Sequence, residues 1–141
     1  MVPAMTNRVA SASAPLTACE FFAGGGLAGL GLSSGRAGFG TVFANDIDPM
    51  KARAFRANHA GTLLAEGDVW DLTPAEIPGT PDLCWASSPC QDVSLAGARG
   101  GLKAVRSGAF WGFWKLMQGL DLEGRAPRII VIENVAGLLT S

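Results

Sequence analysis

The sequence predicts an α/β domain, a mostly parallel sheet with helices on both faces, and three observations predict it. Short apolar runs alternate with helix-like segments from residue 16 to residue 132. The first run leads straight into the glycines Gly24, Gly25 and Gly26, where a helix should begin. Every run also ends on an ionisable or reactive side chain, in order Glu20, Asp46, Asp68, Cys90 and Glu133, while the runs themselves are apolar. Parallel sheets bind ligands beyond the carboxyl ends of their strands, so these five residues mark a candidate site.

The first strand is expected at residues 16–22, Leu16 to Phe22 being apolar apart from Thr17 and Glu20. Thr41, Val42, Phe43 and Ala44 form the second, which ends at Asn45, Asp46, Ile47 and Asp48. Pro49 suits the first turn of a helix reaching about Asn58, because proline lacks only an N–H that a helix start leaves unpaired anyway. Residues 62–65 are a short third strand ending at Glu66, Gly67 and Asp68. Residues 81–86 are a fourth, which delivers the turn Ser87, Ser88, Pro89, Cys90. Phe110, Phe113, Trp114, Met117 and Leu120 recur at helical spacing, so residues 108–120 should be a helix with that stripe turned to the sheet. Ile129, Ile130, Val131 and Ile132 read as a fully buried fifth strand ending at Glu133 and Asn134.

Composition bounds what such a domain can be. A chain of 141 residues with 48% hydrophobic content holds one domain with a real core and is too short for two. Its 11 basic and 12 acidic residues leave a net charge of −1, so any nucleic-acid contact must be local rather than bulk electrostatics. Cys19, Cys84 and Cys90 are odd in number and form no Cys-x-x-Cys pair, which argues against a disulfide framework and a zinc site and fits a reducing cytoplasm. No apolar run approaches the ~18 residues of a membrane span. Residues 1–14 read as a disordered tail, without the apolar core of a signal peptide.

Gly24, Gly26 and Gly29 satisfy G-x-G-x-x-G directly after a strand. That arrangement turns the backbone tightly at a helix N-terminus and suits a nucleoside, with Asp46 placed to take ribose hydroxyls; packing of helix on strand would use the same glycines. Asp68 could accept from an adenine amino group or be an exposed turn carboxylate. His59, the single histidine, reads as a surface residue near a helix end. Cys90 sits in a polar turn with Gln91, Asp92 and Ser94, which would be costly to bury unpaired. A thiol is either a small buried hydrophobe or, in a polarised open setting, a nucleophile. A dinucleotide oxidoreductase would use the glycines and Asp46 but gives no reason for a thiol on strand four and a carboxylate on strand five.

Three blocks, Glu20-Phe21-Phe22-Ala23-Gly24-Gly25-Gly26, then Pro89-Cys90-Gln91, then Glu133-Asn134-Val135, resemble the N-terminal part of the catalytic domain of cytosine-C5 DNA methyltransferases. The resemblance runs from Leu16 to the end. It implies a Rossmann-type S-adenosylmethionine-dependent methyltransferase fold, strand order 3-2-1-4-5, cut after strand five. It implies that Phe22, Gly24 and Gly26 hold S-adenosyl-L-methionine, with Asp46 on its ribose, Ile47 on the adenine face, and Asp68 and Val69 at the adenine edge. Cys90 would attack C6 of a cytosine flipped out of double-stranded DNA, Glu133 would hold the protonated N3, and C5 would take the methyl group. Gln91, Ser94, Arg99, Lys103 and Arg106 would contact the DNA, the last three in a glycine-rich basic segment that carries no acidic residue between Asp92 and Asp121. Glu20 stands where the family commonly has Asp, and Ser88 where many members have a second proline.

The resemblance also implies that residues 15–141 are only part of a catalytic domain, without the later motifs and the target-recognition region. The chain alone is then expected to be inactive, as a gene fragment or as a subunit completed by a separate polypeptide. A non-catalytic remnant that binds cofactor or partner is the rival reading.

Overall fold

The computed structural model describes residues 14–36, 38–89 and 108–134. The thiol and the basic segment, with Cys90, Gln91, Ser94, Arg99, Lys103 and Arg106, lie outside the described residues, as does the expected tail except Ala14. Within them five strands, β1 (Thr17–Phe21), β2 (Gly40–Asp46), β3 (Leu63–Glu66), β4 (Leu83–Ala86) and β5 (Ile129–Ile132), form one sheet. All its pairings are parallel and its order is β3-β2-β1-β4-β5, the order expected. The chain reverses its direction of winding between β1 and β4. That switch point is where a doubly wound sheet opens a crevice.

Alternation along β1 decides which helix each side chain meets. Cys19 and Phe21 face the last helix, α3 (Ala109–Leu122), and join Phe43, Cys84, Ala86, Phe113, Leu116, Met117 and Leu120 in the main core. Ala18 faces the other way and packs with Phe39, Leu83 and Leu32 of the first helix, α1 (Leu27–Ser34). The second helix, α2 (Pro49–Asn58), covers the same face through Phe55 on Ala44. Asp48 caps α2 by accepting from the Met50 and Lys51 amides, and Pro49 occupies its first turn as the sequence predicts.

Two expectations about packing are corrected. The buried face of α3 is Gly112, Phe113, Leu116, Met117 and Leu120, whereas Trp114 is exposed and Phe110 half-buried. Trp114 and Phe110 lie one turn apart at the margin of the apolar stripe and stack on each other, with ring centroids 6.4 Å apart. Nor is β5 fully buried: Ile129, Ile130 and Ile132 are 47%, 37% and 43% exposed, because β5 has β4 on one side and is the edge of the described sheet.

Candidate functional site

β1 ends where Phe22 takes a left-handed backbone conformation (φ 57°), a strained geometry for a residue with a side chain. Gly24 (φ 57°) and Gly26 (φ 83°) continue the turn, and Gly26 is the residue from which α1 starts. Ala23 N donates to Asn45 O (3.0 Å) and Gly26 N to Ala23 O (2.9 Å), so the turn is pinned to the end of β2. Three side chains complete the cradle. Asp46, only 4% exposed, accepts from Gly24 N at 2.7 Å through Oδ2 and from Asp48 N at 2.9 Å through Oδ1. Glu20, 2% exposed, accepts from Gly29 N at 3.0 Å and so caps α1, which has no capping side chain of its own at Gly26. The His59 ring reaches Gly25 O with Nε2 at 3.2 Å.

Gly29 has no room for a side chain: a Cβ there would lie 2.7 Å from Glu20 Oε2 and 2.7 Å from Thr41 Oγ1. The third glycine of the motif therefore serves helix-strand packing, and the first two serve the turn. Burial pushes the Glu20 carboxyl above its ordinary value, opposed by the Gly29 and Ala28 amides and by His59.

A cleft of about 190 Å³ opens beside this turn, lined by Phe22, Asn45, Ile47, Gly67, Asp68, Val69, Trp70, Pro89 and Ala109. Its walls come from the ends of β1, β2, β3 and β4 and the start of α3. Ile47 is 64% exposed, an apolar side chain left open to solvent at the cleft. Asp68 accepts from Trp70 N at 3.0 Å with Oδ1, and among the described residues nothing donates to Oδ2. Asn45 fixes the far wall, its Nδ2 donating to Ala65 O and Gly67 O, both at 3.0 Å.

The turn after β4 is tied to the turn after β5. Ser87 N donates to Phe21 O (3.2 Å) and Glu133 N to Ala86 O (2.9 Å), which extends both ladders past the strand ends. Asn134 Nδ2 then donates to the Ser88 carbonyl (3.2 Å) and hydroxyl (3.1 Å). Glu133 is exposed at this point. Cys19 and Cys84 are fully buried, directly opposite each other on β1 and β4. The hydrogen bond with Cys19, together with burial, pushes the Cys84 thiol far up. A thiol so raised carries no thiolate at neutral pH, which removes Cys84 as a nucleophile candidate, and the full burial of Cys19 closes it to substrate.

The pattern that defines the C-5 cytosine-specific DNA methylases matches residues 16–141. The chain belongs to that family. It resembles the type II methyltransferase M.NgoPII of Neisseria gonorrhoeae, with 31% identity over 137 residues, 97% of this chain and 38% of that protein. It is 32% identical over 123 residues to the type II methyltransferase M.Eco47II of Escherichia coli, covering 87% of this chain and 28% of the relative. The chain thus spans less than two fifths of these relatives. Among solved structures, the S. pombe Dnmt2 methyltransferase superposes with a TM-score of 0.67 at 26% identity, over 89% of this chain and 36% of that one. The Entamoeba histolytica methyltransferase EhMeth shares the fold, with a TM-score of 0.69 at 20% identity over 92% of this chain and 41% of that one.

The residues named from sequence for the cofactor fall into two groups. Phe22, Ile47, Asp68 and Val69 line the cleft, whereas Gly24, Gly26 and Asp46 build the turn beside it. Glu133 lies at the neighbouring strand end, beside the turn that leads to Cys90. Sequence reasoning named Asn45, Ser88 and Asn134 at their strand ends without giving them a part in holding the site together, and an amide or hydroxyl beside a candidate residue was their one signal. His59 does sit at a helix end, as the cap of α2, and is half-buried; its contact with the glycine turn is what the sequence did not show. No helix among the described residues is long and apolar enough to cross a membrane.

Proposed function

We propose that this chain carries the cofactor and catalytic half of an enzyme that methylates C5 of cytosine in DNA, with S-adenosyl-L-methionine as donor. The observation that carries the reading is the bolting of the Glu133-Asn134 turn onto Ala86 and Ser88, just ahead of Cys90. It brings a carboxylate that has no partner among the described residues to the turn that leads into the thiol, on the rim of the cleft. A nucleoside fits that cleft: Ile47 and Val69 offer apolar faces, the open oxygen of Asp68 an acceptor for an amino group, and Asp46 keeps lone pairs for a ribose hydroxyl. The sulfonium of the bound donor supplies an electrophilic methyl group.

The residues then divide the work. Cys90, as thiolate, adds to C6 of the cytosine, and the electron pair displaced into the ring is accommodated by the proton that Glu133 holds at N3. C5 becomes nucleophilic and would take the methyl group, the electron pair of the broken S–CH3 bond staying on sulfur as the neutral thioether of S-adenosylhomocysteine. Loss of the C5 proton and departure of the cysteine restore the aromatic ring. Addition to an aromatic ring is prohibitive unless the charge building on it is neutralised, and a positioned acid supplies about 10²- to 10⁴-fold. The base must leave the stack first, which costs a few kcal/mol. Gln91, Ser94, Arg99, Lys103 and Arg106 are the residues we assign to DNA contact.

The exposed isoleucines of β5 favour a further strand on that edge, since a bare apolar edge strand invites pairing. We infer that methyl transfer needs the remainder of the catalytic domain, in one longer polypeptide or as a separate complementing chain. DNA carrying 5-fluorocytosine tests the mechanism, because fluorine cannot leave as the proton does. With the completing portion present, a covalent adduct should form on Cys90 and vanish in Cys90→Ser; an adduct persisting in the serine variant removes Cys90 from the role. The chain alone should give no sustained methyl incorporation.

A further inference from the structure

We propose that His59 is a positioning residue for the glycine turn, presetting residues 24–26 in the shape that receives the nucleoside. The inference rests on the cofactor reading above and deepens it. Three consecutive glycines are the most freely moving backbone a chain can have, so a turn made from them needs anchoring before it can act as a preformed surface. Gly24 is anchored through its N–H to Asp46 (2.7 Å) and Gly26 through its N–H to Ala23 O (2.9 Å). Between them, Gly25 is held by its carbonyl, and the partner is His59 Nε2 at 3.2 Å.

The histidine is itself fixed. Its backbone N–H donates to Phe55 O (2.9 Å) as the cap of α2, and its ring stacks on Phe55 with centroids 4.5 Å apart and planes 26° apart. Phe55 is fully buried. Gly26 is pressed onto the Nε2 end of the ring, so closely that a Cβ at Gly26 would overlap it. The ring is thus wedged between the core under α2 and the turn. A carbonyl oxygen only accepts, so Nε2 carries the proton in this contact. Both the neutral Nε2–H tautomer and the imidazolium can hold the turn.

The experiment measures S-adenosylhomocysteine affinity of the full chain by calorimetry, and amide hydrogen exchange of the turn without ligand, for wild type, His59→Phe and His59→Gln. Phenylalanine keeps the ring stacked on Phe55 and removes the donor; glutamine restores a donor at nearly the same reach. His59→Phe should weaken binding by about five- to tenfold, the value of one hydrogen bond, and speed exchange at Gly24 and Gly26 by a similar factor. His59→Gln should recover most of both. His59→Leu is the second variant should the phenylalanine prove unstable, and it should behave as His59→Phe does. Wild-type protein that fails to bind the nucleoside overturns the cofactor reading, while the exchange arm still decides the positioning role. Unchanged exchange and affinity in His59→Phe, with wild type binding, overturn the inference itself.

Discussion

Asn134 donates from one amide nitrogen to both the carbonyl and the hydroxyl of Ser88, at 3.2 and 3.1 Å, and so couples the end of β5 to the turn two residues before Cys90. Where the family often has proline, Ser88 keeps the turn in place by hydrogen bonding instead of by a locked φ. It is only 6% exposed, so its hydroxyl needs the partner.

Asn134→Ala should therefore destabilise the chain by about 1–3 kcal/mol, since it strands a buried hydroxyl. Ser88→Ala removes only one acceptor and should cost less. Urea titration of the two single variants and the double variant measures the coupling. In the completed enzyme Asn134→Ala should lower kcat while S-adenosylhomocysteine affinity stays within about twofold, because a turn displaced by an ångström costs rate before it costs cofactor binding. Strictly additive stabilities would disprove the coupling.

Gly29 supports a second prediction, about packing alone. With both Glu20 Oε2 and Thr41 Oγ1 2.7 Å from where its Cβ would stand, Gly29→Ala should destabilise by about 1–3 kcal/mol through overpacking. Thr41→Ala frees one of the two contacts, so the double variant should regain part of the loss. Thermal unfolding of the four proteins gives the answer, and a Gly29→Ala variant as stable as wild type would mean that α1 can shift away from the sheet freely.

The sheet was legible because parallel strands are buried on both faces and announce themselves as apolar runs, and because Pro49 and the glycines mark where helices begin. Strand order followed from the family resemblance, and the sheet has that order. What stayed hidden depends on neighbours that periodicity does not encode. Trp114 belongs to the helical stripe by spacing and yet lies exposed at its margin, stacked on Phe110; Ile129 to Ile132 read as buried because an edge strand and a central one share a composition. The candidate site was legible as a list of strand-end residues, and the hydrogen bonds that join them were not. Asp46 was visible as a carboxylate at the second strand end, whereas its grip on Gly24, across 22 residues of sequence, is a product of the fold.

The basic segment supplies a third prediction. If Arg99, Lys103 and Arg106 meet phosphates, each adds about 0.9 to the log-log slope of DNA affinity against salt, so neutralising all three should flatten that slope by roughly 2 to 3 units. The measurement belongs on the completed enzyme, titrated with a short duplex at several salt concentrations. A slope that does not move would leave these side chains solvated.

Glu20 gives the last prediction, a pH dependence with a definite sign. Its carboxyl is buried beneath α1, and burial outweighs the Gly29 and Ala28 amides and the attraction of His59, so its folded pKa stands above the ordinary 4.5. The folded chain therefore holds this proton more tightly than the unfolded chain does. Between the two pKa values the native state binds more protons, and stability falls as pH rises through that window, becoming flat above the folded value. The contribution is fully present below the unfolded pKa, opposite to the behaviour of a salt-bridged surface carboxylate. Glu20→Gln removes the titration and keeps an oxygen to accept from Gly29 N. Urea midpoints taken from pH 4 to pH 8 should show the glutamine variant gaining on wild type as pH rises above about 4.5 and then holding a constant lead. A difference that stays level across that range would mean that the carboxyl ionises as readily under α1 as in water, and that the glycine-turn end of the helix compensates its burial in full.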